Sequence, residues 1–413
     1  MTILSIAKFL FFFFLCGVFY AYFGYSMILY ALLKFKNLFF KNNASQNNIL
    51  DDNTLPHVTF LVAAFNEARW IEEKIENSLA LDYPKDKIHF YFVTDGSDDD
   101  TPNLVKKAQN IYGTSRDTRE GERGYHIELF HQPERKGKIA AVERIMPFVK
   151  SPIVIFTDAN TDINPQAVRN IVRHYQDPKV GGVAGEKRVQ MSDVASGAGE
   201  GFYWKYESTL KKWDSELYSV VGAAGELFSI RTDLHRPVET DTLIEDFVTT
   251  LRIAQDGYRV MYEPDAYAVE AHSANVEEEL KRKVRISAGG LQAVWRLRAL
   301  LNPFRYGILS FQYISHRVLR WTVAPIGLPI IFLTNIYLAK HLGGFYTYIM
   351  VCQIIFYAAA LLGWLFDRYQ MKVKLFYIPY YFCMMNFSVY LGFKRLMKGQ
   401  QSVVWDKAKR ADE

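Results

Sequence analysis

Several polar side chains fall where short apolar, β-rich runs end. Asn66 and Glu67 follow 58–63, Asp95 follows 88–93, and Asp158 follows 153–157. Carboxylate and amide oxygens in such places can accept hydrogen bonds from a heterocyclic base or hold a hard cation. A basic run, Arg135-Lys136-Gly137-Lys138, stands at the start of a helical pattern over 137–148. Cations at a helix amino terminus suit a diphosphate, because backbone N–H groups and side-chain charge act together there. A solvated charged loop would read the same way. No G-x-x-x-x-G-K-[ST] loop and no G-x-G-x-x-G follows the first strand, which argues against an NTPase or a dinucleotide enzyme.

The elements needed to position these groups alternate along the middle of the chain. Strand patterns at 58–63, 88–93, 125–130 and 153–157 are separated by helical patterns at 69–81, from Thr101-Pro102 onward, and at 137–148. Thr101 is a capping residue with proline at the first helical position. Such alternation predicts an α/β fold with a mostly parallel sheet. Ligands of open α/β sheets bind beyond the carboxyl ends of the strands, so Asn66, Glu67, Asp95 and Asp158 are expected to converge on one crevice.

Apolar residues crowd the two ends. The hydrophobic fraction is 50% and the aromatic fraction 15%, yet the mean hydropathy is only -0.06, because charged residues fill the middle. Residues 9–33 carry no charge and as a helix would reach about 37 Å, enough for a bilayer core of roughly 30 Å. Lys34, Lys36 and Lys41 follow, so the positive-inside rule predicts a signal anchor with the middle domain in the cytosol. Uncharged runs at 322–339, 342–366 and 375–393 predict three further spans, with Asp367, Arg368, Lys372 and Lys374 in a cytosolic loop. That count leaves the tail outside, against Lys394, Arg395, Lys398, Lys407, Lys409 and Arg410; Pro379 marks the last run as the one that need not cross. Between them, 291–320 mixes Trp295, Phe304 and Phe311 with Arg296, Arg298, Arg305, Arg317 and Arg320, a pattern expected of helices lying in the headgroup layer.

The expected division is an anchor over 1–41, an Asn-rich linker at 42–53, a catalytic domain over 54–286, interfacial helices over 287–321, spans over 322–395 and a basic tail over 396–413. The net charge is +5, and its basic excess near apolar segments suggests anionic lipid or diphosphate contacts, not nucleic acid. Cys16, Cys352 and Cys383 all lie in apolar runs, which excludes a disulfide framework or Cys-based metal site and fits a reducing compartment.

Taken in order, the motifs resemble the family 2 glycosyltransferases of the GT-A fold, and within them the membrane-integrated branch of cellulose, hyaluronan and poly-N-acetylglucosamine synthases. Val62-Ala63-Ala64-Phe65-Asn66-Glu67 resembles the opening nucleotide-contact motif, and Val93-Thr94-Asp95-Gly96-Ser97 the D-G-S turn whose Asp contacts the base. A carboxylate there can accept from uracil N–H, favouring a UDP-sugar. Lys138 closes the K-x-G-K stretch. Asp158-Ala159-Asn160 stands at the D-x-D position, implying a divalent cation, Mg²⁺ or Mn²⁺, held by oxygen ligands with an amide in place of the second carboxylate. The segments 200–207 and 222–227 resemble those lining the acceptor site, with Trp204, Gly225 and Glu226 as acceptor contacts; core packing is the competing reading of Trp204.

Thr242-Leu243-Ile244-Glu245-Asp246 resembles the T-E-D region, with Asp246 aligned to the catalytic base. Glu245 competes for that role, and adjacent helical side chains point about 100° apart, so only one can serve. Arg285 matches the arginine of Q-x-x-R-W and implies neutralisation of the leaving diphosphate, whereas Arg282 and Ile286 replace the Gln and the Trp. The resemblance thus implies inverting transfer from a nucleotide-sugar to a saccharide acceptor, in polysaccharide or glycoconjugate synthesis, by a multi-pass protein of the plasma or inner membrane. A lipid-phosphate acceptor and a catalytically degenerate nucleotide-sugar-binding subunit are the alternatives. Export or assembly subunits are further partners the likeness suggests.

Overall fold

A computed structural model describes residues 2–39, 51–113, 124–190, 195–273, 275–369, 371 and 373–399, apart from the side chains of 195–203 and 374. Most of the Asn-rich linker, the tail from residue 400, Lys41, Lys372 and the side chains of Glu200, Phe202 and Tyr203 lie outside the described residues.

Eight strands form one sheet: β1 Val58–Ala64, β2 Ile88–Asp95, β3 His126–Gln132, β4 Ile153–Asp158, β5 Asp162–Ile163, β6 Val180–Val189, β7 Leu227–Arg231 and β8 Arg259–Glu270. Their order is β3-β2-β1-β4-β7-β6-β8-β5. The first four run parallel, as the alternating pattern predicts. They are sandwiched between two cores, with Phe60 and Val62 facing one and Leu61 the other. A strand covered on both faces reads as an unbroken apolar run, which is why β1 and β2 stand out in the sequence. The register pairs Ala64 with Thr94 and Ala63 with Asp158. Asp95 and Asp158 therefore emerge at one sheet edge on either side of β1.

The second half of the sheet is mixed, with β7 antiparallel to β4 and β6, and β6 parallel to β8. The sequence analysis found neither β6 nor β7. β6 carries Gly181, Gly182 and Gly185, which weaken a strand pattern; a Cβ at Gly185 would lie 2.8 Å from Leu227 and 2.9 Å from a backbone oxygen, so close packing requires the glycine.

Among the described residues three helices are long and apolar enough to cross a membrane: Ile3–Phe39, Val323–Leu342 and Phe345–Arg368. The first packs on the second, and a Cβ on Gly327 would come within 3.0 Å of Phe14 and Val18. The last expected span forms a continuous helix, Lys374–Met397, straight through Pro379. Tyr377, Tyr380, Tyr381, Asn386 and Tyr390 make it less apolar, and it is not one of the three. It lies along the Val276–Arg296 helix, where a Cβ on Gly392 would come within 2.7 Å of the Ala288 backbone and Ser388 meets Ser287 at 2.9 Å.

The stretch 291–320 divides between exposed and buried side chains. Trp295 and Phe304 are exposed, but Leu297, Leu300, Leu309 and Tyr313 are buried in the core beneath the sheet. Arg296 binds Asp241 and Thr242; Arg317 and Arg320 turn inward to Glu207. A buried carboxylate thus holds Arg317 and Arg320, whereas the Asp241 carboxylate that binds Arg296 is exposed.

Candidate active site

The loop after β1 turns through Asn66, which holds φ = +52°, a left-handed conformation that asparagine tolerates better than most residues. Its amide is clamped both ways to Asp98, donating to Oδ1 at 2.6 Å and accepting from the Asp98 N–H at 3.1 Å. The Glu67 N–H donates to Thr101 Oγ1 at 2.9 Å. The acidic turn 95–100 thus serves first to hold this loop. Gly96, at φ +71°, is required: a Cβ would come within 2.4 Å of Arg135.

Asp95 is buried and does two things. Its Oδ2 accepts the N–H groups of Lys136 and Gly137 at 2.8 and 2.6 Å, pinning the basic loop at the head of the Lys138–Ile145 helix. Its Oδ1 is buried and makes no hydrogen bond among the described residues, with only the Arg144 guanidinium at 3.7 Å. A buried acceptor left this way is costly until a donor completes it.

Lys138 is the hub of the centre. Its Nζ lies 2.8 Å from Asp158 Oδ1 and 3.1 Å from Glu245 Oε1. Burial disfavours the Lys138 ammonium, but Asp158 and Glu245 outweigh it and raise its pKa. Burial likewise opposes ionisation of Glu245, yet the charges of Lys138 and Arg285 hold its carboxyl below the usual range. Its neighbour behaves oppositely. Burial, and then the charge of Glu245, push the Asp246 carboxyl up to about 7. Two adjacent carboxyls are driven apart, the pattern expected where one is an ion-pair partner and the other a proton acceptor. A Cβ on Gly225 would stand 3.4 Å from Lys138 Nζ and 3.6 Å from Asp246 Oδ2, so bare backbone keeps space open beside both groups. Arg285, on the Val276–Arg296 helix, donates to the Leu243 carbonyl at 3.1 Å, tying it to the Glu245–Asp246 turn.

On the side toward the apolar helices, Lys187 of β6 is ion-paired with Glu226 and Glu270. Trp204 has the ammonium groups of Lys187, Lys211 and Lys283 at 5.5, 5.8 and 5.5 Å from its ring centre. Glu207 is embraced by Arg317 at 2.5 Å, Arg320 at 3.2 Å and His316 at 3.3 Å. His316 also lies 2.6 Å from Asp214, to which Tyr25 of the first apolar helix donates.

Glu67, Asp95, Lys138, Asp158, Asn160, Trp204, Gly225, Glu226, Glu245, Asp246 and Arg285 line one cavity of about 1120 Å³; Asn66, expected in the same crevice, turns its amide to Asp98 instead. Ile286 lines it too. Trp295 does not; it is exposed and carries Arg298 on its ring. Sequence reasoning missed Lys187, Lys211, His316 and Trp321 as cavity residues. Trp321 packs on Phe247, next to Asp246. Among the described residues no three His, Cys, Asp or Glu side chains are grouped as a ready metal site. Asp158 and Asn160 offer one carboxylate and one amide oxygen.

The glycosyl transferase family 2 model matches residues 59–237, and the glycosyl transferase family group 2 model matches 153–366, more than half of the chain. The poly-beta-1,6-N-acetyl-D-glucosamine synthase of Staphylococcus aureus (strain COL) is 25% identical over 250 residues, covering 59% of this chain and 56% of that one. The beta-monoglucosyldiacylglycerol synthase of Trichormus variabilis is 24% identical over 216 residues, 50% of this chain and 43% of that one. The chain thus spans about half the length of these curated relatives. A mannosyltransferase from Pyrobaculum calidifontis, solved with GDP-Man and Mn²⁺, has the same fold. Its TM-score is 0.66 at 21% identity, over 91% of this chain and 98% of that one.

Proposed function

The chain belongs to the family 2 glycosyltransferases, and on that premise we propose that it transfers a sugar from a UDP-sugar, with inversion, to a hydroxyl of a saccharide acceptor presented at a membrane. The observation that carries the reading is the split pair at the head of the Glu245–Gln255 helix. Glu245 is tied to Lys138, while Asp246 has its pKa raised to about 7. Asp246 is the base that takes the acceptor proton as the hydroxyl attacks C1, a task suited to a carboxyl poised near neutral pH. Glu245 keeps Lys138 oriented.

On the donor side, the unbonded Oδ1 of Asp95 accepts an N–H from the base. Glu67 lines the same pole. Lys138 and Arg285 face the diphosphate and offset its charge as the bond to the sugar breaks. Asp158 and Asn160 fit Mg²⁺ or Mn²⁺ chemically, because both donors are hard oxygens and such ions accept water and substrate phosphate for the remaining positions. That cation, when bound, offsets further charge on the leaving diphosphate. Trp204, Gly225 and Glu226 border the acceptor space, with the indole face available to a sugar ring.

Lys34 and Lys36, after the first apolar helix, support a cytosolic catalytic domain in the plasma or inner membrane. A second reading, a lipid-linked acceptor, is favoured by the cavity itself, which continues from Asp246 past Trp321 to Ile331, Ile349 and Phe356 among the apolar helices. The test is the purified protein in lipid with a panel of nucleotide-sugars. Release of UDP from one UDP-sugar, raised by an acceptor, is expected; release from none, or only from GDP-sugars, overturns the donor assignment.

A further inference from the structure

The turn that carries Asp158 and Asn160 is a thin partition. Ala159 and Asn160 line the catalytic cavity on one side and, on the other, a second cavity of about 190 Å³ bordered by Trp70, Lys74 and Asp162. Open space flanks the turn on both sides, so packing alone does not fix where its side chains aim. What holds it from behind is Lys74, on the Ile71–Leu79 helix.

Lys74 is 1% exposed, and its ammonium directs all three donors at this one turn. It donates to Thr157 Oγ1 at 3.1 Å, to the Thr161 carbonyl at 2.6 Å and to Thr161 Oγ1 at 3.2 Å. Thr157 and Thr161 stand on either side of Asp158-Ala159-Asn160, so the ammonium closes the turn across its base. Each threonine passes the constraint on. The Thr161 hydroxyl donates to the Asp158 carbonyl at 2.9 Å. The Thr157 hydroxyl donates to the Glu226 carbonyl at 2.9 Å, on the acceptor side of the catalytic cavity. Asn77, three residues along the same helix, grips the exit of the turn. Its amide donates to the Ile163 carbonyl and accepts from the Ile163 N–H, both at 2.9 Å. Residues three apart share one helix face, so a single face holds the segment 157–163 at both ends.

The arrangement is costly. All three acceptors are neutral oxygens, and an ammonium buried without a carboxylate at contact subtracts from stability. Burial lowers the Lys74 pKa, and Asp158 and Asp162 offset that only in part. An aliphatic side chain would fill the same space without a charge to desolvate. What the ammonium adds is geometry at the turn.

We infer that Lys74 is a positioning residue of the cation site: by tying Thr157 to Thr161 it keeps the Asp158 carboxylate and the Asn160 amide aimed together into the catalytic cavity. An amide brings no charge where a second carboxylate would, so a hard cation at this turn depends the more on how its oxygens are placed. The inference rests on the reading above that Asp158 and Asn160 hold the donor's cation.

The experiment is Mn²⁺ binding, followed by electron paramagnetic resonance, to the full chain in phosphatidylcholine nanodiscs with saturating UDP, alongside thermal unfolding without metal. Lys74→Met keeps most of the side chain's bulk and removes the three donors. Mn²⁺ affinity is expected to fall by about 10–100-fold, the range for losing a group that orients metal ligands. Thr161→Val leaves Lys74 in place but removes the bond to the Asp158 carbonyl. It should shift affinity the same way by a smaller factor, and it decides the matter if Lys74→Met does not fold. A merely structural lysine would lower the melting temperature and leave the Mn²⁺ affinity of the folded protein as it was; that result overturns the inference. Tighter Mn²⁺ binding by Lys74→Met overturns it too, since the ammonium would then act only as a competing charge. Wild type that binds no Mn²⁺ overturns the cation reading and the role of Lys74 together. A weakened Lys74→Met beside a wild type that turns over no UDP-sugar would support Lys74 and remove the donor assignment alone.

Discussion

The donor pole and the membrane-facing flank of the cavity are both crowded with charge, but they arrange it differently. At the donor pole, Asp95, Asp158, Lys138 and Asp246 keep one face toward open space, and their pairs are local bridges such as Lys138 to Asp158 at 2.8 Å. On the flank, Glu207, Asp214, His316, Arg317 and Arg320 satisfy one another in the interior and join three segments: the first apolar helix, the Ala195–Leu217 helix and the stretch around 316. The first arrangement is built to meet a ligand, the second to hold the catalytic domain against its membrane helices.

If that division is right, substitutions at the pole should cost turnover, and substitutions on the flank should cost stability. The largest effect expected is loss of donor turnover on chelation, because Asp158 and Asn160 provide few protein ligands and so cannot retain a cation strongly. Asn160→Asp should make activity survive lower metal concentrations; full turnover of wild type in excess EDTA would remove metal from the account. Next is Glu207→Gln, which strands Arg317 and Arg320. Breaking a buried ion cluster by removing one member typically costs about 3–5 kcal/mol, so thermal unfolding in detergent should fall markedly. Burial opposes its ionisation, but Arg317 and His316 hold the Glu207 carboxyl well below its usual range. Its stabilisation is therefore present at neutral pH and lost on acidification, and the variant should show a weaker acid dependence of unfolding. An unchanged melting temperature would erase the distinction between the two regions.

Asp246 sharpens the contrast from the other side. Because its folded pKa is raised to about 7, its base form disappears as pH falls through that value, and kcat should fall with it. The same shift means that the favourable contribution of the neutral carboxyl is present in acid and lost as pH rises through about 7. Removing its charge should therefore not destabilise the protein at neutral pH. Glu245→Gln takes away the second cause of the shift and should move the acid limb of the rate profile to lower pH; a limb that stays put would show that burial alone sets it. The smallest effect expected is that of Gly225→Ala. Its methyl would sit at ordinary contact distance from Lys138 and Asp246, so it should raise the acceptor KM a fewfold and leave unfolding unaltered.

The same division explains what was legible in the sequence. Asp95 and Asp158 stand at the ends of unbroken apolar strands, so local pattern alone put them in one crevice, whereas Lys138 joined them only through the family resemblance. Glu207 and His316 are 109 residues apart, and nothing local reveals that they meet. Arg317 and Arg320 carried the composition of a headgroup-layer helix, and nothing local points to the buried carboxylate they share. β6 was hidden by its glycines, whose value lies in what packs against them. The contest between Glu245 and Asp246 stayed open in the sequence because neighbours in a helix differ only in what they face.

That contest is also the most direct test of the account. Donor binding and steady-state turnover should be measured for Asp246→Asn and Glu245→Gln in the same lipid preparation. The expected result for Asp246→Asn is unchanged donor affinity with turnover lower by about 10²–10⁴-fold, the range for losing a general base. Glu245→Gln should keep most of its turnover. If Glu245→Gln abolished turnover while Asp246→Asn remained active, the base would be Glu245, and the roles assigned to this pair would be contradicted.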